Sequence, residues 1–183
     1  MFGEIHSLEW PEFRRLLEVA AAKRERDRLI FAVAYNHGFR VSEVVELTPE
    51  NIHDGKIDVQ RGKCSLRTIH SLVESEDALL NEKQPLLDLC AVTLRNQRLF
   101  KIGRRRMDQL MKEYGELAGV ETHKRHMHAL KHTSCTQALP TNTVADLQAY
   151  YGWKNEGMVL RYTKRKPAEA EPNVQRALKG SVS

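Results

Sequence analysis

Tyr162 stands among cations in Leu160-Arg161-Tyr162-Thr163-Lys164-Arg165-Lys166, nine residues after Trp153 of Tyr151-Gly152-Trp153. A phenol with a pKa near ~10 is mostly protonated at neutral pH, so a tyrosine nucleophile needs cations beside it and a phosphate for them to hold. The ordinary role of a helical tyrosine is packing, and the surrounding charge is what singles this one out. Three further segments carry groups suited to the same chemistry. Gly38-Phe39-Arg40-Val41-Ser42-Glu43 sets an arginine at the mouth of a helix, with an acid three residues on that can fix the guanidinium. Its planar fork fits two phosphate oxygens. Arg61-Gly62-Lys63 puts a lysine on a turn, within reach of a groove or a phosphate. In His128-Ala129-Leu130-Lys131-His132, His128 and Lys131 are three apart and share one helical face, with Leu130 turned away as an anchor. Each segment alone has a plain reading as a local ion pair, a surface lysine or a core histidine. Taken together they supply the groups for phosphoryl transfer.

The histidines do not read as a metal site. No cysteine or acid accompanies His123, His126, His128 and His132 at ligand spacing, and His128-x-x-x-His132 lacks the intervening glutamate of a metalloprotease helix. The three cysteines, Cys64, Cys90 and Cys135, share no CxxC spacing and read as reduced thiols.

The elements that must position these groups are mainly helical. Ser7 is a candidate N-cap for a helix carrying Trp10, Phe13, Leu16, Leu17 and Ala20. Leu29 to Tyr35 is a continuous apolar and aromatic run that predicts a buried helix broken at Gly38. Ser42 can cap a short helix that Pro49 closes. From Asn51 to Leu72, Ile57 and Val59 alternate with polar residues, which predicts a small antiparallel sheet with a turn at Arg61 to Ser65. Helical patterns return over Glu76–Arg95, Arg104–Ala118, His128–Leu139, Thr143–Tyr151 and Glu156–Lys164. The expected fold is therefore mainly α with a small antiparallel β-sheet. It forms one domain over 1–166, followed by a linker and a short apolar stripe over 167–183, a candidate protomer-docking tail.

The 183 residues carry 29 Lys and Arg against 24 Asp and Glu, a formal net charge of +5, which points mildly to a polyanion. Hydrophobic residues at 41% and charged residues at 29% are ordinary for a globular domain and argue against wholesale disorder. No run of 18 apolar residues exists, and the N-terminus has no secretory pattern. The expected place is the cytoplasm, away from membranes.

In their order, the four segments resemble the catalytic domain of the tyrosine recombinase (phage integrase) family. Gly38-Phe39-Arg40-Val41-Ser42-Glu43 is similar to its first arginine box and Arg61-Gly62-Lys63 to its β-hairpin lysine. His128-Ala129-Leu130-Lys131 is similar to its His-x-x-Arg box. Tyr151-Gly152-Trp153 with Tyr162 is similar to its Leu-Gly-His box and nucleophile. Lys131 stands where most members have arginine, and Trp153 where most have histidine. Thr68-Ile69-His70-Ser71-Leu72 is closer to the small fimbrial-switch invertases. The resemblance implies a site-specific recombinase working through a 3′-phosphotyrosyl link, with Tyr162 as nucleophile. Arg40 and Lys131 would neutralise the phosphate, and His128 would donate a hydrogen bond or accept the tyrosine proton. Lys63 would protonate the leaving 5′-oxygen, and Trp153 would pack beside the site. Lys101, Arg104, Arg105 and Arg106, with Arg161, Lys164 and Arg165 around the nucleophile, would bind double-stranded DNA. The implied assembly is a homotetramer on DNA, and no metal or cofactor is implied. An integrase-like DNA-binding protein with weak catalysis and a type IB topoisomerase-like enzyme are the alternatives.

Overall fold

A computed structural model describes residues 5–62 and 65–162. Lys63, Cys64, Lys164, Arg165 and the 167–183 tail lie outside the described residues.

Helix α1 (Trp10–Lys23) buries Phe13, Leu16, Leu17 and Ala20, the stripe visible in the sequence. Its N-cap is Glu9 rather than Ser7: the Glu9 N–H donates to the Glu12 carboxylate at 2.8 Å, and Pro11 sits in the first turn. The chain before it is tied down differently, by the Leu8 N–H donating to Thr133 Oγ1 at 2.8 Å. Helix α2 (Glu25–Asn36) is buried from Asp27 to Ala34. Its charged residues Asp27 and Arg28 are buried and satisfied. Asp27 accepts from Tyr114 Oη at 2.8 Å, and Arg28 donates to the Leu79 and Asn81 carbonyls. Helix α3 (Val41–Val45) is capped by Arg40, two residues earlier than a Ser42 cap requires, because the Glu43 carboxylate accepts the Arg40 N–H at 2.7 Å.

The sheet is a three-stranded antiparallel meander, β1 (Ile52–His53), β2 (Lys56–Gln60) and β3 (Arg67–Ser71), in that order. In β2–β3 the register pairs Ile57 with His70 and Val59 with Thr68. Helix α4 (Lys83–Ala91) is shorter than the expected Glu76–Arg95. Asp77 turns the chain ahead of it, its side chain accepting the Leu79 N–H and its carbonyl the Leu80 N–H. Helix α5 (Arg104–Leu117) ends near Gly119, whose φ is +70°. Helix α6 (Met127–Ala138) is capped by His126, whose Nδ1 accepts the Ala129 N–H. Helix α7 (Val144–Tyr150) opens on a reciprocal Thr143–Asp146 capping box. Helix α8 (Gly157–Leu160) covers the first part of the expected Glu156–Lys164 helix.

Two apolar clusters result. The main one joins α1, α2, α3, α5, the sheet and the first half of α6. A smaller one, Cys135, Leu147, Tyr151, Trp153 and Val159, with Tyr162 packed against it, lies between α6, α7 and α8. Among the described residues no helix is long and apolar enough to cross a membrane.

Candidate active site

Arg40 reaches its position because α2 stops abruptly. Gly38 has φ +57°, the left-handed region, and a Cβ there would stand 2.2 Å from the Tyr151 ring. The chain then turns into α3, with Arg40 at its mouth and Glu43 one turn on. Glu43 is buried and collects three hydrogen-bond donors and one ion-pair partner. It accepts the Arg40 N–H at 2.7 Å, Arg40 Nη1 at 3.0 Å and the Gly62 N–H at 3.1 Å, and it pairs with Arg61 Nε at 3.2 Å. Burial pushes its carboxyl upward, but Arg61, the two backbone amides and Lys131 together outweigh that and hold it below the usual range. Glu43 is thus an anionic hub that orients two guanidinium groups.

Arg61 was read from sequence only as part of the turn. It is 2% exposed, donates to the His37 and Gly38 carbonyls at 3.2 and 2.7 Å, and stacks its guanidinium over Phe39. The signal was available: Ile57, Val59 and Arg61 alternate, so Arg61 continues the buried face of β2. It ties the turn that carries Lys63 to the Gly38 break. The same turn is fastened on its far side, where Leu66 N–H donates to Gly152 O at 2.7 Å and Ser65 forms a bridge with Trp153. Gly152, at φ +64°, is required there, since a Cβ would lie 2.8 Å from the Leu66 carbonyl.

Lys131 is 2% exposed, and its Nζ has no hydrogen-bond partner. It lies over the Trp153 ring at 5.5 Å. Burial, then the guanidinium groups of Arg61 and Arg40, push its ammonium down to about 7, with Glu43 pulling the other way. An unsatisfied buried cation beside two others is a place for an anion. The Trp153 indole N–H is likewise buried and unpaired, a second donor without an acceptor.

Tyr162 stacks on Trp153 at 5.7 Å and 19°, and its hydroxyl lies 2.7 Å from His132 Nδ1. The phenol's partner in this structure is therefore His132, with His128 one ring further out, edge-on to His132 at 4.4 Å. Burial pushes the Tyr162 hydroxyl well above the ordinary phenol value, although Arg161 and Arg40 pull it down. Burial, then His128, His126 and Arg161, push His132 down to about 3, so its ring is neutral, and the tautomer protonated on Nε2 can accept the phenol hydrogen at Nδ1. Sequence reasoning set His132 aside with the metal reading. Its spacing of four from His128, on the same helical face, was the signal that connects it to the site.

The predicted cations separate by location. Arg40, Arg104, Lys112, Arg125, His126 and His128 line one open cleft of about 450 Å³ that leads to the site. Arg105 lines an adjoining hollow with Arg104 and Lys112. Lys101 lines a different hollow, beside Gln97 and Arg98, and Arg106 is paired with Glu113 at 2.9 Å. Arg161 closes α8 next to Tyr162. The structure therefore gathers Arg40, His128, Lys131, Trp153 and Tyr162, and adds Glu43, Arg61 and His132.

The chain is 31% identical over 160 residues to tyrosine recombinase XerA of Thermococcus kodakarensis, covering 84% of this chain and 56% of that protein. It is 26% identical over 148 residues to the type 1 fimbriae regulatory protein FimE of Escherichia coli, covering 75% of this chain and 74% of that one. The chain thus spans little more than half the length of the XerA relative. In fold it resembles a lambda integrase dimer bound to a COC′ core site, with TM-score 0.71, 17% identity, and coverage of 90% of this chain and 49% of that one. The profile of the phage integrase family matches residues 6–169, a span that includes every catalytic candidate from Arg40 to Tyr162, and the chain belongs to that family.

Proposed function

We propose that this chain is a site-specific DNA recombinase that cleaves and rejoins double-stranded DNA through a 3′-phosphotyrosyl link. The observation that carries the reading is the Tyr162 hydroxyl, hydrogen-bonded to a neutral His132 within the field of Arg40 and Arg161. Tyr162 Oη attacks the scissile phosphorus and its proton passes to His132 Nδ1. The P–O5′ bond breaks, and Lys63 gives a proton to the departing 5′-oxygen. In rejoining, a 5′-hydroxyl attacks the phosphotyrosine, the phenol leaves, and both protons return. Arg40, Lys131 and the Trp153 indole N–H face the non-bridging oxygens and stabilise the charge of the transition state. His132 gains basicity as the phosphate arrives, because the anion offsets cations that depress it. The phosphate backbone lies along the cleft of Arg104, Lys112 and Arg125, with Arg105 and Arg161 on its flanks and Lys101 and Arg106 further out, and Lys164 and Arg165 add their charge to DNA binding.

Protomers assemble in fours on paired sites, with the 167–183 tail joining neighbours, and the protein works in the cytoplasm, where its DNA is. The lambda integrase neighbour, a dimer on a core site, is consistent with such assembly.

The test is a nicked duplex that loses a short 5′-hydroxyl fragment after cleavage and so traps the covalent intermediate. The wild-type chain accumulates a protein–DNA adduct, and Tyr162→Phe folds normally but forms none. An adduct that survives Tyr162→Phe removes Tyr162 as the nucleophile. Relaxation of supercoils with no strand exchange between paired sites would favour topoisomerase activity instead.

A further inference from the structure

Behind the cation cluster lies a chain of polar contacts that the reaction above does not use. Glu82, at the N-cap of α4, is fully buried, and its Oε1 lies 2.5 Å from Nε2 of His37. His37 is fully buried too, at the C-cap of α2. Its Nδ1 faces Nδ1 of His70, on β3, at 3.1 Å. His70 Nε2 in turn faces the Tyr150 carbonyl, at the C-terminal end of α7, at 2.9 Å. The Tyr150 ring lies flat on the His70 ring at 4.0 Å, and Tyr150 Oη donates to the Asn36 carbonyl at 2.6 Å.

Counting hydrogens settles the charge of this chain. It starts at a carboxylate and ends at a carbonyl, both acceptors, with three contacts between them. Two neutral imidazoles bring one N–H each, which leaves one contact without a hydrogen. Two acceptors would then face each other at hydrogen-bond distance, an arrangement that folded proteins avoid. An extra proton fills the gap. Glu82 also accepts the Val73 N–H at 2.9 Å and Asn36 Nδ2 at 2.9 Å, so both its oxygens already meet donors. Burial, then the neighbouring His37, push His70 down to about 4, which keeps the proton off that ring.

We infer that His37 is an imidazolium held against the Glu82 carboxylate, donating in both directions, and that this proton positions the two halves of the active site relative to each other. The ends of the chain are the reason. The His37 and Gly38 carbonyls hold Arg61, which holds Glu43, which holds Arg40. At the other end, Tyr150 leads directly into Tyr151-Gly152-Trp153 and the stacked Tyr162. His37, His70 and Glu82 are positioning residues that touch no reacting atom. The charged and titratable groups facing His37 are Glu82 from α4, His70 from β3 and Arg61 from the end of β2. His70 faces those three and Tyr150 from α7. Loss of the proton leaves two N–H groups for three contacts and opens the brace.

The inference rests on the cleavage reading for its consequence and not for its existence, so the experiment has two arms. The first is ¹⁵N NMR of the histidine rings in the full chain. At neutral pH the His37 ring should carry two N–H groups and the His70 ring one, on Nε2. The His37 proton should be lost at lower pH in Glu82→Gln. Two neutral rings, or a proton on the Glu82 carboxyl, overturn the inference. The second arm is adduct formation on the nicked duplex. His70→Ala should form adduct about 10-fold to 100-fold more slowly, as a small misplacement of reacting groups does, with duplex affinity little changed. In His70→Gln the amide can accept from His37 and donate to the Tyr150 carbonyl without titrating. It should restore cleavage and keep the wild-type fall in rate at high pH, because His37 must still donate both to Glu82 and to the amide oxygen. Wild-type rates in His70→Ala, or no rescue by His70→Gln, overturn the positioning role. Should His70→Ala not fold, the wild-type proton count and the pH profile of His70→Gln still decide. If wild type forms no adduct at all, the cleavage reading fails, and the proton on His37 is judged by the first arm alone.

Discussion

Lys131 is the residue at which this chain departs most from the arginine of its family resemblance, and its surroundings give the departure a measurable consequence. Its ammonium is buried without a partner between Arg61, Arg40 and the Trp153 face. The unfolded chain binds this proton with a pKa of 10.5, the folded chain at about 7. Between those values the unfolded state holds more protons, so folding stability should rise with pH across that window, by up to about 1.4 kcal/mol per pH unit from this group. Denaturant unfolding of wild type and Lys131→Met at several pH values measures this, and the slope should flatten in the variant. DNA reverses the demand. A phosphate needs the charged lysine, so binding above about pH 7 takes up a proton and weakens with rising pH. Lys131→Arg carries a permanent charge and should keep cleaving with a flatter binding profile, whereas Lys131→Ala should fold but lose cleavage about 100-fold or more, as removal of a donor to a transition-state oxygen does. Normal cleavage by Lys131→Ala would remove this residue from the site. At the same scale, His132→Ala should lower adduct formation by about 100-fold or more, the usual size of a general-base contribution. An unchanged rate would leave His128 as the acceptor.

The segment between α2 and α3 shows how elements converge on those residues. Gly38 combines φ +57° with a Cβ position 2.2 Å from the Tyr151 ring. Gly38→Ala therefore meets both a left-handed backbone and an overpacked aromatic, for a combined cost of about 2–5 kcal/mol. A lowered Tm together with lost cleavage is expected, and a neutral variant would mean that α7 does not pack on this turn. Gly38 was readable from the sequence as a helix break, as were the buried run of α2, the small antiparallel sheet with its turn at Arg61 to Ser65, and Arg40 at a helix mouth with Glu43 behind it. The cap positions were less readable. Ser42 has the side chain of a cap, but Glu43 reaches back to the Arg40 amide and moves the helix start earlier. Arg61 was hidden because an arginine beside glycine and lysine looks solvated, and only the alternation from Ile57 and Val59 places it inside. His37, His70 and Glu82 lie on three different elements. No local pattern joins them until the sheet folds against the end of α2, so their partnership could not be read along the chain.

Across the whole molecule the net charge of +5 is a poor guide to DNA binding, because many cations are already paired. Arg28 with Glu25, Arg67 with Asp58, Arg98 with Glu46 and Lys124 with Glu12 spend their charge locally. Arg40, Arg104, Lys112 and Arg125 share one cleft with Asp108 that opens onto His128; Arg40 is held by Glu43 there, and Arg104 and Arg125 have only loose acidic neighbours at 3.7 and 4.0 Å. A duplex lying there releases counterions in proportion to the phosphates neutralised, each adding ~0.9 to the slope of log affinity against log salt. Three or four such contacts predict a slope of about −3 to −4 from this cleft alone. Lys112→Ala should reduce its magnitude by close to one contact, with little change in sequence preference, because a phosphate contact positions the duplex without reading it. Arg104→Ala should do nearly the same, since its link to Asp108 at 3.7 Å is loose and exposed. Arg106→Ala should change the slope less, because Arg106 is bound at 2.9 and 3.3 Å by the carboxylate of Glu113, which must be given up before a phosphate can be met. Fluorescence anisotropy with a labelled duplex over a salt series gives all three slopes. An affinity indifferent to salt, or equal slopes for Lys112→Ala and wild type, would mean that DNA approaches over another face and that the cleft beside His128 is not its path.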